Sequence, residues 1–231
     1  NMVIGTDAQA LIVDHREAEA AALLAPYLSR SDEWRTSTPR LASLVHGPAA
    51  TEQWIDRVAA AVPADSLTGQ YEIAYAWYNA GHHYPDHEKA YLTRARDVIA
   101  PLTKRPDVTA AVMLMAGSVA ESLDDPAGAI AAYRRSLQID PKQPIAENNL
   151  AYLLVTRSQD LDEARQLAER AVAAAPNDTS YYDTLAKVYE KVGKRDRAIA
   201  TYQKILDLDP VNVQAMVPTI RLLRDEGRRD D

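Results

Sequence analysis

Residues 82–88 read HHYPDHE, three histidines with an Asp and a Glu inside one heptapeptide. Imidazole nitrogens and carboxylate oxygens are ligands for zinc and related metals, so metal chemistry would sit here if the chain held any. The spacing is not that of a structural zinc motif, however, and Pro85 punctuates a polar run between two helical patterns. The segment therefore reads as a solvated turn. His15 and His46 stand alone at predicted helix ends, where a cation complements the helix dipole. No Gly-rich phosphate loop, Ser-containing nucleophile elbow or HExxH is present. There is no cysteine to supply a thiolate, and the paired acids Asp124–Asp125 and Asp230–Asp231 fall in turns or in the tail. The sequence predicts no catalytic residue, no cofactor and no bound metal, hence not an enzyme.

Composition narrows the partners. Hydrophobic residues make up 47% of the chain and charged residues 26%, ordinary values for a core-forming protein. The net charge is −7 and no stretch concentrates Lys and Arg, which argues against nucleic acid. No apolar run approaches the roughly 20 residues a spanning helix needs, so the expectation is no membrane insertion by this chain. Nineteen arginines against seven lysines read as the codon usage of a GC-rich, bacterial genome. Asn1–Met2 reads as an expression scar or as an internal start, the expectation being a chain cut from something longer. Without cysteine the compartment stays open, the cytoplasm being favoured slightly over a periplasm reached through an upstream signal.

The elements that position all these residues are written as a repeat. Residues 126–141 read PAGAIAAYRRSLQIDP and residues 195–210 read RDRAIATYQKILDLDP, with a looser copy, LDEARQLAERAVAAAP, at 161–176. In each, an alanine precedes a proline by twelve residues: Ala129 and Pro141, Ala164 and Pro176, Ala198 and Pro210. Around each copy the apolar residues recur at three and four residue spacing in two segments, as in Ala116, Gly117 and Ala120 followed by Ala129, Tyr133 and Leu137. This spacing predicts pairs of amphipathic helices about a tight turn, with small residues at the closest approach. The proline then ends the second helix, because the residue before it is pushed out of the helical region.

The pattern resembles the tetratricopeptide repeat, strongly over residues 108–211. Glu147 departs from it, standing where the middle repeat would carry an aromatic, and one residue is inserted near Ser158 and Gln159. Upstream, Ile73, Ala74, Trp77 and Gly81 match Leu185, Ala186, Tyr189 and Gly193, a fourth repeat with a longer turn. Leu41, Ala42 and Val45 with ATEQWIDRVAAAV read as a fifth pair, and REAEAAALLAPYL as the second helix of a sixth whose partner is only partly present. Residues 213–227 predict a terminal capping helix packing through Met216, Ile220 and Leu223, bent or starting late because of Pro218. The expected division is 1–107 divergent helix pairs, 108–211 three well-marked repeats, and 212–231 the capping helix and tail, in one continuous array.

The resemblance implies an all-α, right-handed superhelical solenoid of antiparallel helix pairs whose first helices line a concave groove. Carried across, the groove positions are Tyr71, Glu72, Tyr75, Tyr78 and Asn79, then Leu114, Met115 and Ser118, then Asn148, Asn149 and Tyr152, then Asp183, Thr184 and Lys187. Tyrosine offers contact area with few rotors, and side-chain amides bond both the donor and the acceptor of an extended backbone. Asn148 and Asn149 are the pair expected to do so. Co-chaperone members hold a carboxylate with basic residues, but Ser180 and Thr184 stand at those places here. The implied function is a non-catalytic protein–protein interaction scaffold that binds an extended peptide or a helix, with self-association left open. Two alternatives are an accessory repeat domain of a glycosyltransferase or sulfotransferase type of enzyme, and an assembly factor of bacterial envelope or polysaccharide-export machinery.

Overall fold

One backbone device closes helix after helix in this chain. At the end of a helix a single residue enters the left-handed region, and the amide after it reaches back five residues to a helical carbonyl. Arg16 N donates to Leu11 O at 2.8 Å past His15 at φ 58°, and Asp125 N to Ala120 O at 2.8 Å past Asp124 at φ 56°. Gln159 N donates to Leu154 O at 2.9 Å past Ser158 at φ 53°, and Lys194 N to Tyr189 O at 2.8 Å past Gly193 at φ 73°. Only the last of these four positions carries the glycine that the left-handed region favours. The residue inserted at 158–160 adds a second left-handed residue, Asp160 at φ 40°, and lengthens only the turn.

The computed structural model describes residues 2–28, 33, 37–38 and 40–225, and it is all-helical, with no strand among the described residues. The α-helices are α1 (Met2–Val13), α2 (Glu17–Leu28), α3 (Pro48–Ala61), α4 (Leu67–His83), α5 (Glu88–Leu102) and α6 (Ala110–Ser122). They continue as α7 (Pro126–Ile139), α8 (Pro144–Thr156), α9 (Leu161–Ala174), α10 (Thr179–Lys191), α11 (Arg195–Leu208) and α12 (Val213–Asp225). Short 3-10 turns occupy Leu41–Leu44 and Pro85–His87. This is the α-solenoid class of fold, built from antiparallel helix pairs.

The chain divides into two compact units, Asn1–Gly128 and Ala129–Asp231. The boundary lies inside α7, within the first well-marked repeat. In the first unit α1 packs on α2, α2 on α3, α4 on α5, and α5 on α6, around Ile12, Leu24, Trp54, Ile55, Ile73, Trp77 and Tyr91. Gly81 sits where α4 meets α5: a Cβ there would lie 3.1 Å from Leu92 Cγ and 3.3 Å from Glu88 O. In the second unit α8 packs on α9, α9 on α10, α10 on α11, and α11 on α12. The alanines that mark the repeat, Ala129, Ala164 and Ala198, are each 0% exposed. The prolines act as the repeat predicts: α9 and α11 stop at Ala174 and Leu208, and Ala175 and Asp209 leave the helical region at φ −138° and −139°.

Three expectations are corrected, and at the N-terminus α1 supplies a twelve-residue partner for α2. The residues Leu41–Leu44 expected in a helix form a 3-10 turn, and the described residues 37–38 and 40 just before it are helical. His82 and His83 belong to the last turn of α4, and the connection to α5 is one short 3-10 turn. Finally, α12 starts at Val213 and not late, and it holds Pro218 inside it, where the missing N–H removes one i→i−4 bond of the ladder. It buries Ala215, Thr219 and Leu222, leaving Met216 and Leu223 half-buried and Ile220 65% exposed. Val213, Val217 and Ile220 therefore form an exposed apolar row, and the helix is not the polar-faced cap expected.

Candidate functional site

On the first helix of each pair, residues four apart make a row along one face. In the second unit two such rows lie side by side, because α8 contacts α10 as well as α9. The α8 row is Asn148, Tyr152 and Thr156, and the α10 row is Asp183, Lys187 and Lys191. Lys187 Nζ donates to Asp183 Oδ2 at 2.6 Å and stands 5.4 Å from the centroid of the Tyr152 ring. Tyr152 is 37% exposed. A ring, an ammonium and a carboxylate predicted separately are thus brought into one cluster. Lys187, Glu190 and Lys191 with Val155 and Thr156 also line an open depression of about 320 Å³ beside it.

The amide pair behaves otherwise. Asn148 Nδ2 points at Asn149 Oδ1 at 3.5 Å, and Asn149 Nδ2 donates to the Tyr133 hydroxyl at 3.3 Å. Both side chains are half-buried, and Asn148 Oδ1 is enclosed without a hydrogen-bond partner. Asn149 therefore fixes α8 to α7 within the second unit and is not an open amide. Glu147, at the departing position of the repeat, is buried and paired with Arg170 of α9. A charge pair here joins the two helices where an aromatic ring would otherwise pack.

In the first unit α4 carries Tyr71, Tyr75 and Asn79 in one row. Tyr71 and Tyr75 are half-buried and Asn79 is exposed. Burial pushes the Tyr71 and Tyr78 hydroxyls above the ordinary tyrosine range. Tyr78 packs edge-on against His82 at 4.5 Å, and Ser122 Oγ of α6 lies 3.4 Å from His82 Nε2, so Tyr78 belongs to the α4–α6 contact. Glu72, one residue off the row, is 3% exposed and holds Arg40 through two bonds of 2.8 and 2.6 Å. Those bonds raise the Arg40 pKa further, and the guanidinium keeps its charge. Met115 and Thr184, expected in the groove, are buried as well.

Three residues matter here that the sequence did not single out: Arg40, Thr51 and Tyr84. With Tyr75, Asn79 and His83 they surround a cavity of about 230 Å³ between the Leu41–Leu44 turn and α4. Thr51 Oγ1 lies 3.2 Å from the Tyr84 hydroxyl across 33 positions of sequence, a contact no local pattern announces. The histidines of 82–88 are dispersed: His82 lies 3.6 Å from Glu88, His83 stands edge-on to Tyr84, and His87 stacks on Tyr91. Among the described residues no three His, Cys, Asp or Glu side chains converge as a metal set, and no helix is long and apolar enough to cross a membrane.

These features define a helical-repeat protein whose polar and aromatic rows lie on first helices. Models of the tetratricopeptide repeat match residues 92–144, 121–188 and 179–212, and the chain carries tetratricopeptide repeats through this region. Among curated proteins it is similar to anaphase-promoting complex subunit 3 of Dictyostelium discoideum, 30% identical over 99 residues. That match takes in 42% of this chain and only 10% of the relative's length. Among solved structures it resembles YrrB, described as a tetratricopeptide repeat protein with an unusual peptide-binding site. The TM-score is 0.61 at 16% identity, over 81% of this chain and 91% of that one. A structure of MamA matches with a TM-score of 0.58 at 20% identity, over 63% of this chain and 85% of that one. At such identities the likeness is one of fold.

Proposed function

We propose that this chain is a non-catalytic interaction scaffold that holds an extended segment of a partner protein along the first-helix rows. The observation that carries this reading is the Tyr152–Lys187–Asp183 cluster, which presents an accessible ring edge, an ammonium and a carboxylate on two adjacent helices. An extended peptide needs such a mixture, apolar area for its side chains and both signs of polarity for its backbone and charges. The architecture is compatible: YrrB, with the same fold, is described as having a peptide-binding site, and the curated relative is a subunit of a multiprotein complex. Tyr75 and Asn79 are the corresponding contacts in the first unit. Asn148 contributes at most an edge, since its amide faces Asn149.

A selection of random peptides displayed on phage tests the reading, run on the chain and on a Tyr152→Ala, Lys187→Ala double variant. Enrichment of a shared motif that the double variant no longer retains supports it. Enrichment unchanged by the variant moves the binding surface off these rows, and no enrichment at all overturns peptide binding.

A further inference from the structure

The cavity between the Leu41–Leu44 turn and α4 is more selective than a groove surface. Its buried wall is apolar, made by Ala42, Val45, Ala76 and Ala80. Its polar floor is already satisfied, Thr51 Oγ1 lying 3.2 Å from the Tyr84 hydroxyl and 3.5 Å from the Val45 carbonyl oxygen. Arg40 is bound in two places by buried Glu72, and the exposed His83 ring stands edge-on to Tyr84. A carboxylate entering this cavity finds the Arg40 guanidinium already compensated, and an ammonium finds no free carboxylate in the lining. At about 230 Å³ the space exceeds the roughly 150 Å³ that suffices for a benzene ring. Two polar groups at the rim keep their capacity: the Tyr75 hydroxyl and the Asn79 carboxamide make no hydrogen bond among the described residues.

We infer that this cavity is the anchor pocket for one bulky uncharged side chain, aromatic or aliphatic, of an extended partner segment whose backbone amide is bonded by Asn79. The inference rests on the peptide-binding reading above and gives its ligand a defining residue.

The test is methyl NMR of the whole chain titrated with N-acetylated, amidated phenylalanine and leucine, beside the aspartate and glycine analogues. The expected result is saturable, millimolar shifts of the Ala42, Val45, Ala76 and Ala80 methyls by the first two only. Asn79→Ala, at an exposed position, should weaken binding about five-fold, the worth of one hydrogen bond. Ala76→Met, which fills the cavity, should abolish it, and Asn79→Ala keeps the test decisive if the filled variant unfolds. No saturable shift, equal binding of the aspartate analogue, or an Asn79→Ala chain that binds like the parent overturns the pocket. The two readings fail separately. Phage peptides that need Tyr152 and Lys187 while the cavity takes no fragment sink the pocket alone, and a filled cavity with no peptide selected sinks the scaffold reading alone.

Discussion

Lys187 places its ammonium 2.6 Å from Asp183 on its own helix and 5.4 Å from the ring centre of Tyr152 on the helix beside it. Both ionic groups are partly exposed, so the pair is screened and worth little to folding. The predicted consequence is a separation of effects. Lys187→Ala should cost no more than about 0.5 kcal/mol of stability, while peptide binding falls by ten-fold or more if the cluster is the contact. Chemical denaturation read beside a binding isotherm checks both halves, and a large stability loss would make the cluster structural.

Ala198 tests the repeat itself. It is wholly buried on α11, and α11 packs on α10, so there is no room for a longer side chain. Ala198→Leu should destabilise by about 1 to 3 kcal/mol through overpacking. An unchanged melting midpoint would mean that α10 and α11 do not approach as the repeat requires.

This much of the fold was legible because it is local. The alanine and proline of each repeat, the Gly193 turn and the helix pairs from 108 to 211 follow from periodicity and backbone sterics within about 34 residues. The 3-10 turn at Leu41–Leu44 was not legible, since apolar residues at helical spacing there fit either element over so short a run. Nor was the fate of the amides. Asn148 and Asn149 carry the right chemistry for a backbone ligand, but which face they turn to depends on Tyr133, on another helix. The same limit hid Arg40 and Thr51, whose partners lie more than thirty positions away. On α12 the apolar row was misread by one face, because both Ala215–Thr219–Leu222 and Val213–Val217–Ile220 have helical spacing.

Ser158 and Gly193 offer a comparison within one molecule. Both are the left-handed residue after a first helix, at φ 53° and 73°, but only one has no Cβ. Ser158→Gly should stabilise by up to about 1 kcal/mol, and Gly193→Ala should destabilise by about 1 to 2 kcal/mol. Opposite shifts of the urea midpoint, with unchanged slope, are the expected outcome. Equal signs would mean that the turns are not equivalent.

Beside the apolar packing of α12 on α11, one carboxylate at the end of the second unit sets a response to alkali. Glu190 accepts from the Tyr202 hydroxyl at 2.8 Å and is paired with Arg221 of α12. Burial first, and the bond to Glu190 second, push the Tyr202 pKa far above its ordinary value of 10.0. Below that value both folded and unfolded chains keep the proton and the stability is complete. As pH rises through it the unfolded chain ionises and the folded one cannot, so stability falls from about pH 10 upward. Tyr71, Tyr78, Tyr91, Tyr181 and Tyr189 are raised as well and share in the slope. Tyr202→Phe should therefore lose about 1.5 to 3 kcal/mol near neutrality, the worth of a bond to a charged group, and show a shallower alkaline loss. Urea unfolding near pH 7 and near pH 11 separates the two effects. If the variant and the parent lose stability equally over that interval, Tyr202 ionises as freely in the folded chain as in the unfolded one, and the Glu190 bridge does not hold α12 in the way the geometry requires.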